Sequence, residues 1–572
     1  MGVNKQIAEI FYQMGEILEI KGEVWESRAY QKAARIIEGF SKDLEDAYKQ
    51  GGLDALMEIP GVGEGLAKKI EEFIKTGEIK KHQDLIASIP NGLLDIISVQ
   101  GLGPKKARKL YEELKIDDIE KLEKAAREGK IKELDGFGEK SEQDILKGVE
   151  LFRKGQERMY LGEALPIAYK IVNRLKSLKE VEKIEIAGSI RRRKETIGDI
   201  DILVISKNPN VVMDFFVKMP NVDFVQGKGG TKSSVTLKEG LDCDLRVLDP
   251  KSFGAAFCYF TGSKEHNVAL RKIAIAKSWK LSEYGLFDKK NIAVAGKTED
   301  EIYEKLGMDY IEPEIRENTG EIEASQKKEL PDLIKYNSLK GDLHTHTKWS
   351  DGMDTMESMI QASIKMGYEY IAITDHSKAE RVANGMDEKR VLKYLEEIEN
   401  MRKKFKEIQI LAGSEVSILK DGSLDFPKEI LKKLDWIVGS VHSGFTMTEK
   451  EMTNRVLAAL DSEYINALGH PTGRIVNARE PFEIGLEKVF EKAKEKDVAM
   501  EINSNQRLDL NDANIRKAKK FGVKFCINTD SHSSENLNLA EIGISQARRG
   551  WLEEKDVINT LPWGKFEKRL KK

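Results

Sequence analysis

The chain has 572 residues, of which 40% are hydrophobic, 33% charged and 7% aromatic. At about 150 residues per domain this length predicts about four domains, and the composition excludes disordered, collagen-like and disulfide-scaffold proteins. Because 94 Lys and Arg nearly balance 97 Asp and Glu, the net charge is -3 and no overall positive field indicates a nucleic-acid partner.

The sequence shows no signal for secretion or for membrane insertion. Cysteine occurs only at Cys243, Cys258 and Cys526, without a C-x-x-C pair, so neither a disulfide framework nor a thiolate metal site is predicted. Residues 1–20 lack the basic start and unbroken apolar stretch of a signal peptide, and no run of about 18 apolar residues occurs. We therefore expect a cytoplasmic protein without a membrane partner.

Residues 1–155 are predicted to form short amphipathic helices, and one glycine pattern occurs in them three times. Glycines two apart flank an apolar residue at Gly61 and Gly63, Gly101 and Gly103, and Gly136 and Gly138. Such a turn at a helix N-terminus exposes backbone amides to a phosphate. The glycines could merely cap and connect helices, but three copies followed by lysines favour phosphate binding. The pattern resembles the helix-hairpin-helix element, which implies contact with the DNA backbone without sequence reading.

A second region, from about residue 181, is predicted to be an α+β domain with strands near 182–187, 200–205, 234–237 and 242–248. Asp199 and Asp201 alternate on one strand and share a face, and Asp242 and Asp244 do so on another. This could be an ordinary solvated strand face, but three carboxylates also suit two Mg²⁺ or Mn²⁺ ions that activate a 3′-hydroxyl and neutralise a triphosphate. The turn at Gly188 and Ser189 can cradle phosphates.

Residues 251–310 are predicted to be helical, with a possible hairpin near 286–294. Residues 311–338 are polar and acidic, contain Pro313 and Pro331, and show no sustained apolar period. We therefore expect a linker there.

The α+β region resembles the nucleotidyltransferase palm of family X DNA polymerases such as DNA polymerase beta. Tyr259-Phe260-Thr-Gly262-Ser263, followed by Asn267, is similar to that family's nucleotide-pocket motif. The resemblance implies that the catalytic metal ligands are Asp199, Asp201 and Asp244, and it leaves the role of Asp242 open. It also implies that Ser189, Arg192 and Gly198 contact the phosphates of an incoming dNTP, although Ile197 replaces a hydroxyl residue there.

The resemblance extends to the N-terminus. Arg28–Ala34 and Ala67–Ile70 are similar to the family's small N-terminal domain, in which a lysine attacks an abasic sugar as a Schiff base. The matching position is Lys69. Trp25, Glu26 and Gly65 fall where the 5′-phosphate pocket would carry basic side chains, so two roles stay open for Lys69, a nucleophile and a phosphate-contacting lysine.

From residue 340 onward, seven short apolar strands alternate with charged helices, which predicts a parallel barrel with its chemistry at the C-terminal strand ends. Six of the eight histidines fall at or just after these strands. A lone histidine is usually a core or surface residue, but six at strand ends with carboxylates predict a centre of about three divalent ions. Nitrogen ligands favour Zn²⁺ or Mn²⁺.

This pattern resembles the polymerase and histidinol phosphatase (PHP) domain, a distorted (β/α)7 barrel. The resemblance implies that the metal ligands are His344, His346, Asp351, His376, Glu415, His442, His470, Asp530 and His532.

We therefore expect a multidomain chain: a lyase-like helical domain with a helix-hairpin-helix element (1–80), a helical fingers-like domain with further such elements (81–155), a nucleotidyltransferase palm (156–250), a thumb (251–317), a linker (318–338) and a PHP barrel (339–572). The predicted function is a monomeric repair polymerase that uses dNTP and gapped or primer-template DNA. The barrel is expected to act as a 3′-5′ exonuclease, with abasic-site endonuclease and 3′-phosphatase activities as further options. The alternatives are a metallophosphatase whose N-terminal half serves only as a DNA anchor, and a non-catalytic DNA end-binding scaffold.

Overall fold

The structure, a computed structural model, describes residues 3–38, 44–59, 61–90, 92–99 and 101–570. Pro60 and Gln100, which belong to two of the predicted glycine turns, lie outside the described residues. Within the described part of the chain, no helix combines the length and the apolar character needed to cross a membrane.

The N-terminal region is all-helical in its described residues, as predicted. Its apolar side chains form two separate cores, one built from residues 7–85 and the other mainly from residues 93–149. The amphipathic helices bury their apolar faces in these cores, and the first helix contributes to both, with Ile7 to Leu18 in one and Ile20 in the other. The helices are α1 (Val3–Lys21), α2 (Val24–Glu38), α3 (Leu44–Met57), α4 (Glu64–Thr76), α5 (Lys80–Ala87), α6 (Leu93–Ser98), α7 (Pro104–Leu114), α8 (Ile119–Arg127) and α9 (Glu139–Glu157).

The α+β region contains a five-stranded sheet whose strands lie in the order β2 (Val181–Ile186), β4 (Asp199–Ser206), β7 (Asp242–Val247), β6 (Lys232–Leu237) and β5 (Val222–Lys228). Strands β4 and β7 run parallel, with Asp199 paired to Asp242 and Asp201 to Asp244, while the other pairs are antiparallel. Ile200, Ile202 and Cys243 point into the core on the opposite face. The elements are β1 (Met159–Tyr160), α10 (Leu161–Lys176), β2 (Val181–Ile186), α11 (Gly188–Arg191), β3 (Thr196–Ile197), β4 (Asp199–Ser206), α12 (Pro209–Phe216), β5 (Val222–Lys228), β6 (Lys232–Leu237) and β7 (Asp242–Val247).

The next region is helical with a small antiparallel sheet, in which β9 (Gly285–Phe287) and β10 (Ala293–Ala295) form the hairpin expected near 286–294. Its elements are α13 (Phe253–Thr261), α14 (Lys264–Ala276), β8 (Lys280–Ser282), β9 (Gly285–Phe287), β10 (Ala293–Ala295), α15 (Glu299–Leu306), a 3₁₀ turn (Pro313–Ile315) and α16 (Glu321–Lys327).

The segment 318–338 differs from the predicted linker. Helix α16 lies inside it and buries Glu321, whose carboxylate accepts hydrogen bonds from His266 Nδ1 at 2.8 Å and from the backbone amides of Asn318 and Thr319, both at 2.7 Å. The polar composition conceals a folded segment because its charged side chain is paired within the protein, which apolar periodicity cannot show.

The C-terminal region is a seven-stranded parallel sheet in sequential order, and a bridge between Thr345 and Ser531 brings its first and last strands together into a nearly closed barrel. This confirms the predicted fold class. Strands such as β12 are buried on both faces, which explains their unbroken apolar runs. The elements are β11 (Gly341–Asp342), α17 (Met356–Lys365), β12 (Tyr370–Ile373), α18 (Glu388–Lys404), β13 (Gln409–Ser417), α19 (Lys428–Leu431), β14 (Trp436–Ser440), α20 (Glu449–Leu460), β15 (Ala467–Leu468), α21 (Leu486–Glu495), β16 (Ala499–Asn503), α22 (Asp512–Phe521), β17 (Phe525–Asn528), α23 (Ala540–Arg549) and α24 (Trp563–Phe566).

The barrel packs directly against the palm. Arg474 Nη2 lies 2.6 Å from Glu195 Oε2, and the Tyr160 hydroxyl donates to the Ser504 carbonyl at 3.2 Å. Helix α23 also packs against the turn at 313–315. Three barrel side chains, Val476, Leu508 and Ile542, also join the apolar core of the palm, so the two regions share an interface with both polar and apolar contacts.

Candidate active sites

The three predicted polymerase carboxylates lie together on β4 and β7. The parallel register places Asp201 beside Asp244, and Asp199 precedes Asp201 on the same face. Burial and the charges of Asp199 and Asp244 raise the pKa of Asp201 to about 7. A buried carboxylate whose pKa is raised by neighbouring carboxylates favours binding of a divalent cation, which relieves the repulsion.

Asp244 and Asp242 differ in their surroundings. Burial raises the pKa of Asp244, but Lys232, whose Nζ is 2.8 Å from Oδ2, and Ser234 lower it more, so the net pKa lies below its usual value. Asp242 instead accepts hydrogen bonds across the sheet from Gln226 Nε2 at 2.7 Å and Thr236 Oγ1 at 2.8 Å. Asp242 Oδ1 is therefore already hydrogen-bonded to side chains of two other strands of the sheet.

The turn at Gly188 brings the backbone close to Asp201. Gly188 has φ +65°, and a β-carbon at this position would lie 2.4 Å from Asp201 Oδ2. Only glycine fits both constraints. The next residue, Ser189, has a buried hydroxyl without a hydrogen-bond partner, which leaves it available to a ligand.

A cleft of about 400 Å³ opens beside these carboxylates and gathers most of the predicted nucleotide-pocket residues. Gly198 and Asp244 do not line it, and Gly198 packs against Arg158 instead. The positions of Arg158, Lys264 and Arg271 in the lining were not predicted, because Arg158 follows the end of α9 and the other two lie on α14, and spacing within one element does not show which elements meet. The lining residues are Arg158, Gly188, Ser189, Arg192, Asp199, Asp201, Tyr259, Phe260, Gly262, Lys264, Asn267 and Arg271.

Tyr259 and Phe260 end helix α13 at the cleft and meet edge to face, with ring centroids 5.2 Å apart. Asn267 Nδ2 donates to the Tyr259 carbonyl at 2.7 Å, which ties helix α14 to the aromatic pair. Gly262 has φ +73°, and a β-carbon there would lie 3.0 Å from Arg192 Nη1. The motif thus forms one wall of the cleft, with Arg192 packed against its glycine.

The three glycine turns are built alike. Gly61, Gly101 and Gly136 have φ values of +86°, +83° and +83°, the left-handed region that favours glycine. Gly63, Gly103 and Gly138 are the N-caps of α4, α7 and α9, and none has a side-chain cap. Each motif therefore leaves helix N-terminal amides open at the surface, as phosphate binding requires.

Lys69 lies on α4 beside the ring of Tyr30, with its Nζ 5.8 Å from the ring centroid. Burial and the positive charge of Lys81 lower the pKa of the Lys69 ammonium. Lys81 also contacts the Tyr30 ring and pairs with Glu26. The structure therefore supplies one basic neighbour, Lys81, that the motif comparison did not include.

The nine predicted ligands of the barrel gather at the C-terminal ends of its strands. Glu415, from β13, lies at the centre of the cluster: Oε1 is 2.8 Å from His470 Nε2 and 3.0 Å from His442 Nε2, and Oε2 is 2.9 Å from His376 Nδ1. Asp530 Oδ1 lies 3.1 Å from His346 Nε2. The remaining side chains complete the cluster around these two carboxylates, and they are His344, Asp351 and His532.

Three groups within this cluster have donor atoms close enough to share an ion. Each group keeps its donor atoms within 4.8 Å of one another. Buried ring nitrogens of His344, His346, His376 and His470 have no partner in hydrogen-bonding geometry, which fits atoms that bind metal. The groups are His346, Asp351, His376 and His532; His344, His346 and Glu415; and His376, Glu415 and His442.

The electrostatics of the cluster suit metal binding. Burial and the neighbouring His532 and His376 lower the pKa of His346 to about 3, so its imidazole is neutral. Burial raises the pKa of Glu415, but the surrounding imidazoles, His442 first, bring it well below its usual value. Neutral imidazole and ionised carboxylate are the forms that bind metal. Burial lowers the pKa of His532, but Asp351 and Asp530 raise it more, to about 9, so an ion that binds there would displace a proton.

A second layer, which the sequence analysis missed, holds the ligands in place. Glu501 Oε1 accepts from His344 Nδ1 at 2.7 Å, and Oε2 accepts from the His470 backbone amide at 2.7 Å. Asn503 Nδ2 donates to Asp530 Oδ2 at 3.0 Å. The available signal was a pair of polar residues, Glu501 and Asn503, alternating in the otherwise apolar strand β16.

Comparison with known proteins matches four segments of the chain to families. Residues 3–79 match a helix-hairpin-helix domain, 93–150 a SAM-like helix-hairpin-helix tandem, 256–317 the DNA polymerase beta thumb and 342–505 the PHP domain. Asp530 and His532 lie beyond the last match but join the same cluster.

Several whole proteins are also similar to the chain. The "DNA polymerase/3'-5' exonuclease PolX" of Bacillus subtilis is 35% identical over 99% of both chains. DNA polymerase lambda of Rattus norvegicus is 25% identical over 55% of this chain and 56% of its own length. A Thermoanaerobacter protein named "Probable phosphatase" is 29% identical over 40% of this chain and 94% of its own length.

These matches confirm the family resemblances drawn from the motifs, and membership of a polymerase family with a PHP domain implies the use of divalent metal ions. The full-length similarity, the polymerase beta thumb, the helix-hairpin-helix domains and the PHP domain occur here in one order along one chain. The chain therefore belongs to the family X DNA polymerases that carry a C-terminal PHP domain.

Proposed function

We propose that the protein is a repair polymerase that fills short DNA gaps and processes 3′ ends with its barrel. The observation that carries the polymerase proposal is the meeting of Asp199, Asp201 and Asp244 on β4 and β7. Asp199 and Asp201 also line the adjacent cleft, together with the Gly188 turn and the Tyr259 motif. The name of the Bacillus relative includes both activities, and its similarity spans the whole chain.

In this proposal, gapped or primer-template DNA lies along the helix-hairpin-helix turns and a dNTP enters the cleft. Asp199, Asp201 and Asp244 would hold two Mg²⁺ or Mn²⁺ ions, which supply charge neutralisation for phosphoryl transfer. Ser189 and Arg192 bind the triphosphate, while Tyr259 and Phe260 border the sugar. A cytoplasmic location and a monomeric state stay predictions.

The barrel is proposed to hydrolyse phosphoesters at DNA 3′ ends. Its nine side chains would hold about three Zn²⁺ or Mn²⁺ ions, which supply a nucleophilic hydroxide near neutral pH. Glu501 and Asn503 orient the ligands from behind. Abasic-site endonuclease and 3′-phosphatase activities remain options for the same centre.

The metallophosphatase alternative rests on the barrel alone. The Thermoanaerobacter relative covers 40% of this chain, whereas the full-length relative includes the polymerase region. The intact carboxylate group and the Tyr259–Phe260 pair favour a working polymerase over a DNA anchor.

Two variants of the full chain separate the two activities. Asp201→Asn is expected to abolish primer extension on gapped DNA and to retain Mn²⁺-dependent digestion of a 3′ end, and His344→Ala is expected to do the reverse. Circular dichroism checks that both variants are folded. If either substitution abolished both activities in a folded protein, the assignment of two separate active sites would fail.

We further propose that Lys69 acts as a Schiff-base nucleophile at an abasic site, because burial and the charge of Lys81 lower its pKa. Borohydride trapping on an incised abasic substrate should disappear in Lys69→Ala. Lys68→Ala is the matched control, since Lys68 lies next along α4 but is exposed and paired with Glu64 at 2.7 Å. Trapping that persists in Lys69→Ala would leave Lys69 as a phosphate contact.

A further inference from the structure

Arg549 ends helix α23 of the barrel and reaches into the polymerase region. Its Nη1 donates to the Arg192 carbonyl at 2.8 Å and to Glu317 Oε1 at 3.0 Å, and its Nη2 donates to Asp512 Oδ2 at 2.5 Å. The residue is 6% exposed. A buried guanidinium with this many partners is held in one geometry.

Glu317 is shared between the two arginines. Arg192 Nε donates to Glu317 Oε1 at 3.2 Å, so Arg192 and Arg549 bind the same carboxylate oxygen. Arg192 also lines the nucleotide cleft and donates to the Thr261 carbonyl next to Gly262. The side chain expected to meet the triphosphate is therefore already engaged by a carboxylate, and an arginine from the barrel competes for that carboxylate.

We propose that Arg549 is a positioning residue for nucleotide incorporation, acting through Arg192. Arg549 holds the Arg192 backbone through its hydrogen bond to the Arg192 carbonyl, and it partly neutralises Glu317 through a second hydrogen bond. The Arg192 guanidinium therefore stays available to the incoming triphosphate. Without Arg549, Glu317 pairs with Arg192 alone and holds it away from the nucleotide. The barrel thereby sets the affinity of the polymerase site for dNTP. This inference rests on the proposed role of Arg192.

The physical basis is competition between two anions for one cation. Removing Arg549 leaves Glu317 with a single arginine partner, and a charge-assisted hydrogen bond strengthens when its competitor is lost in a partly buried site. The nucleotide must then break a stronger Arg192–Glu317 pair. The effect falls on dNTP binding, and the barrel's metal cluster is not part of this contact.

The test measures single-nucleotide gap filling by the full chain, with KM for dNTP and kcat determined separately. Arg549→Gln is expected to raise KM by about ten-fold, the lower end for a hydrogen bond to a charged group, with kcat little changed. Glu317→Gln is expected to lower KM below the wild-type value, because it frees Arg192. The double variant should have the KM of Glu317→Gln, since without the Glu317 carboxylate there is no longer an anion for which Arg192 and Arg549 compete.

Three measurements make the result specific. Arg516→Gln is the matched control: this barrel arginine donates to Thr319 Oγ1 at 2.9 Å and contacts neither Arg192 nor Glu317, so KM should stay within about two-fold of wild type. Digestion of a 3′ end in Mn²⁺ checks that the barrel of each variant is intact. Arg192→Gln tests the underlying role and should raise KM itself.

An unchanged KM in Arg549→Gln, or a double variant as impaired as Arg549→Gln, would overturn the inference. If Arg549→Gln fails to fold, Glu317→Gln alone decides, because a KM that is unchanged or higher in that variant contradicts the competition. If Arg192→Gln leaves KM unchanged, the proposed role of Arg192 fails first.

Discussion

Glu299 joins the thumb to the phosphate turn of the palm through two arginines. Its carboxylate accepts from Arg191 Nη1 at 2.9 Å and from Arg316 Nη1 at 2.6 Å, and Arg316 is fully buried. We predict that Glu299→Gln destabilises this region strongly at pH 7, because it leaves two guanidinium groups in a buried site without their anion.

The size of the effect follows from the pKa of Glu299. Burial raises this pKa, but Arg316 and Arg191 lower it more, from the ordinary 4.5 to about 2. At about 1.4 kcal/mol for each pKa unit, this difference corresponds to about 3 kcal/mol of stability. Removal of one partner from a buried ion pair costs about 3–5 kcal/mol in other proteins, which agrees.

Native-state hydrogen exchange of peptides covering α15 measures this free energy locally. Exchange in Glu299→Gln should be faster by about a hundred-fold at pH 7. The ionised carboxylate stabilises the fold fully above pH 4.5, so the difference between wild type and variant should shrink as the pH falls from 4.5 towards 2. Glu304→Gln, an exposed change on the same helix, should cost less than about 0.5 kcal/mol. A cost for Glu299→Gln under about 1 kcal/mol at pH 7, or a difference that grows in acid, would refute the reasoning.

Three further predictions concern the active sites. Gly188→Ala should lower kcat/KM for primer extension by roughly a hundred-fold, because its β-carbon would displace the Asp201 carboxylate, while 3′-end digestion stays unchanged. Normal primer extension would contradict a steric conflict between this β-carbon and Asp201. The Mg²⁺ concentration for half-maximal extension should rise about ten-fold per pH unit below pH 7, because the raised pKa of Asp201 makes a proton compete with the ion. A Mg²⁺ requirement that stays constant from pH 8 to pH 6 would contradict this. Glu501→Gln should weaken metal binding by the barrel about 10–100-fold, measured as metal retained after dialysis, whereas the exposed control Glu491→Gln should retain its metal. Full metal retention in Glu501→Gln would contradict the role of Glu501 in orienting His344.

Much of the architecture could be predicted because its signals are local. The alternation of Asp199 and Asp201 with buried isoleucines predicts a strand with two faces, and most buried strands of the barrel are apolar runs with a histidine or an acid at or just after their C-terminal end. The glycine turns require left-handed backbone conformations, so their residues are visible in the sequence.

The features that were missed depend on contacts between distant segments. Helix α16 is polar in sequence, but Glu321 is buried against His266, 55 residues earlier in the chain. Arg158 enters the nucleotide cleft from the end of the helical region, and Glu501 supports His344 from another strand. Periodicity and spacing describe single elements, so partners from different elements become visible only in the folded chain.

The three ligand groups of the barrel overlap pairwise, since His346, Glu415 and His376 each belong to two of them. A neutral imidazole offers one lone pair to one ion, whereas a carboxylate can bridge two. If all three groups bound an ion, Glu415 could bind two of the ions, whereas His346 and His376 could each bind only one. Within these three groups the ions would therefore not be equivalent: a position left with fewer ligands would bind its ion more weakly and would have room for an oxygen of the substrate.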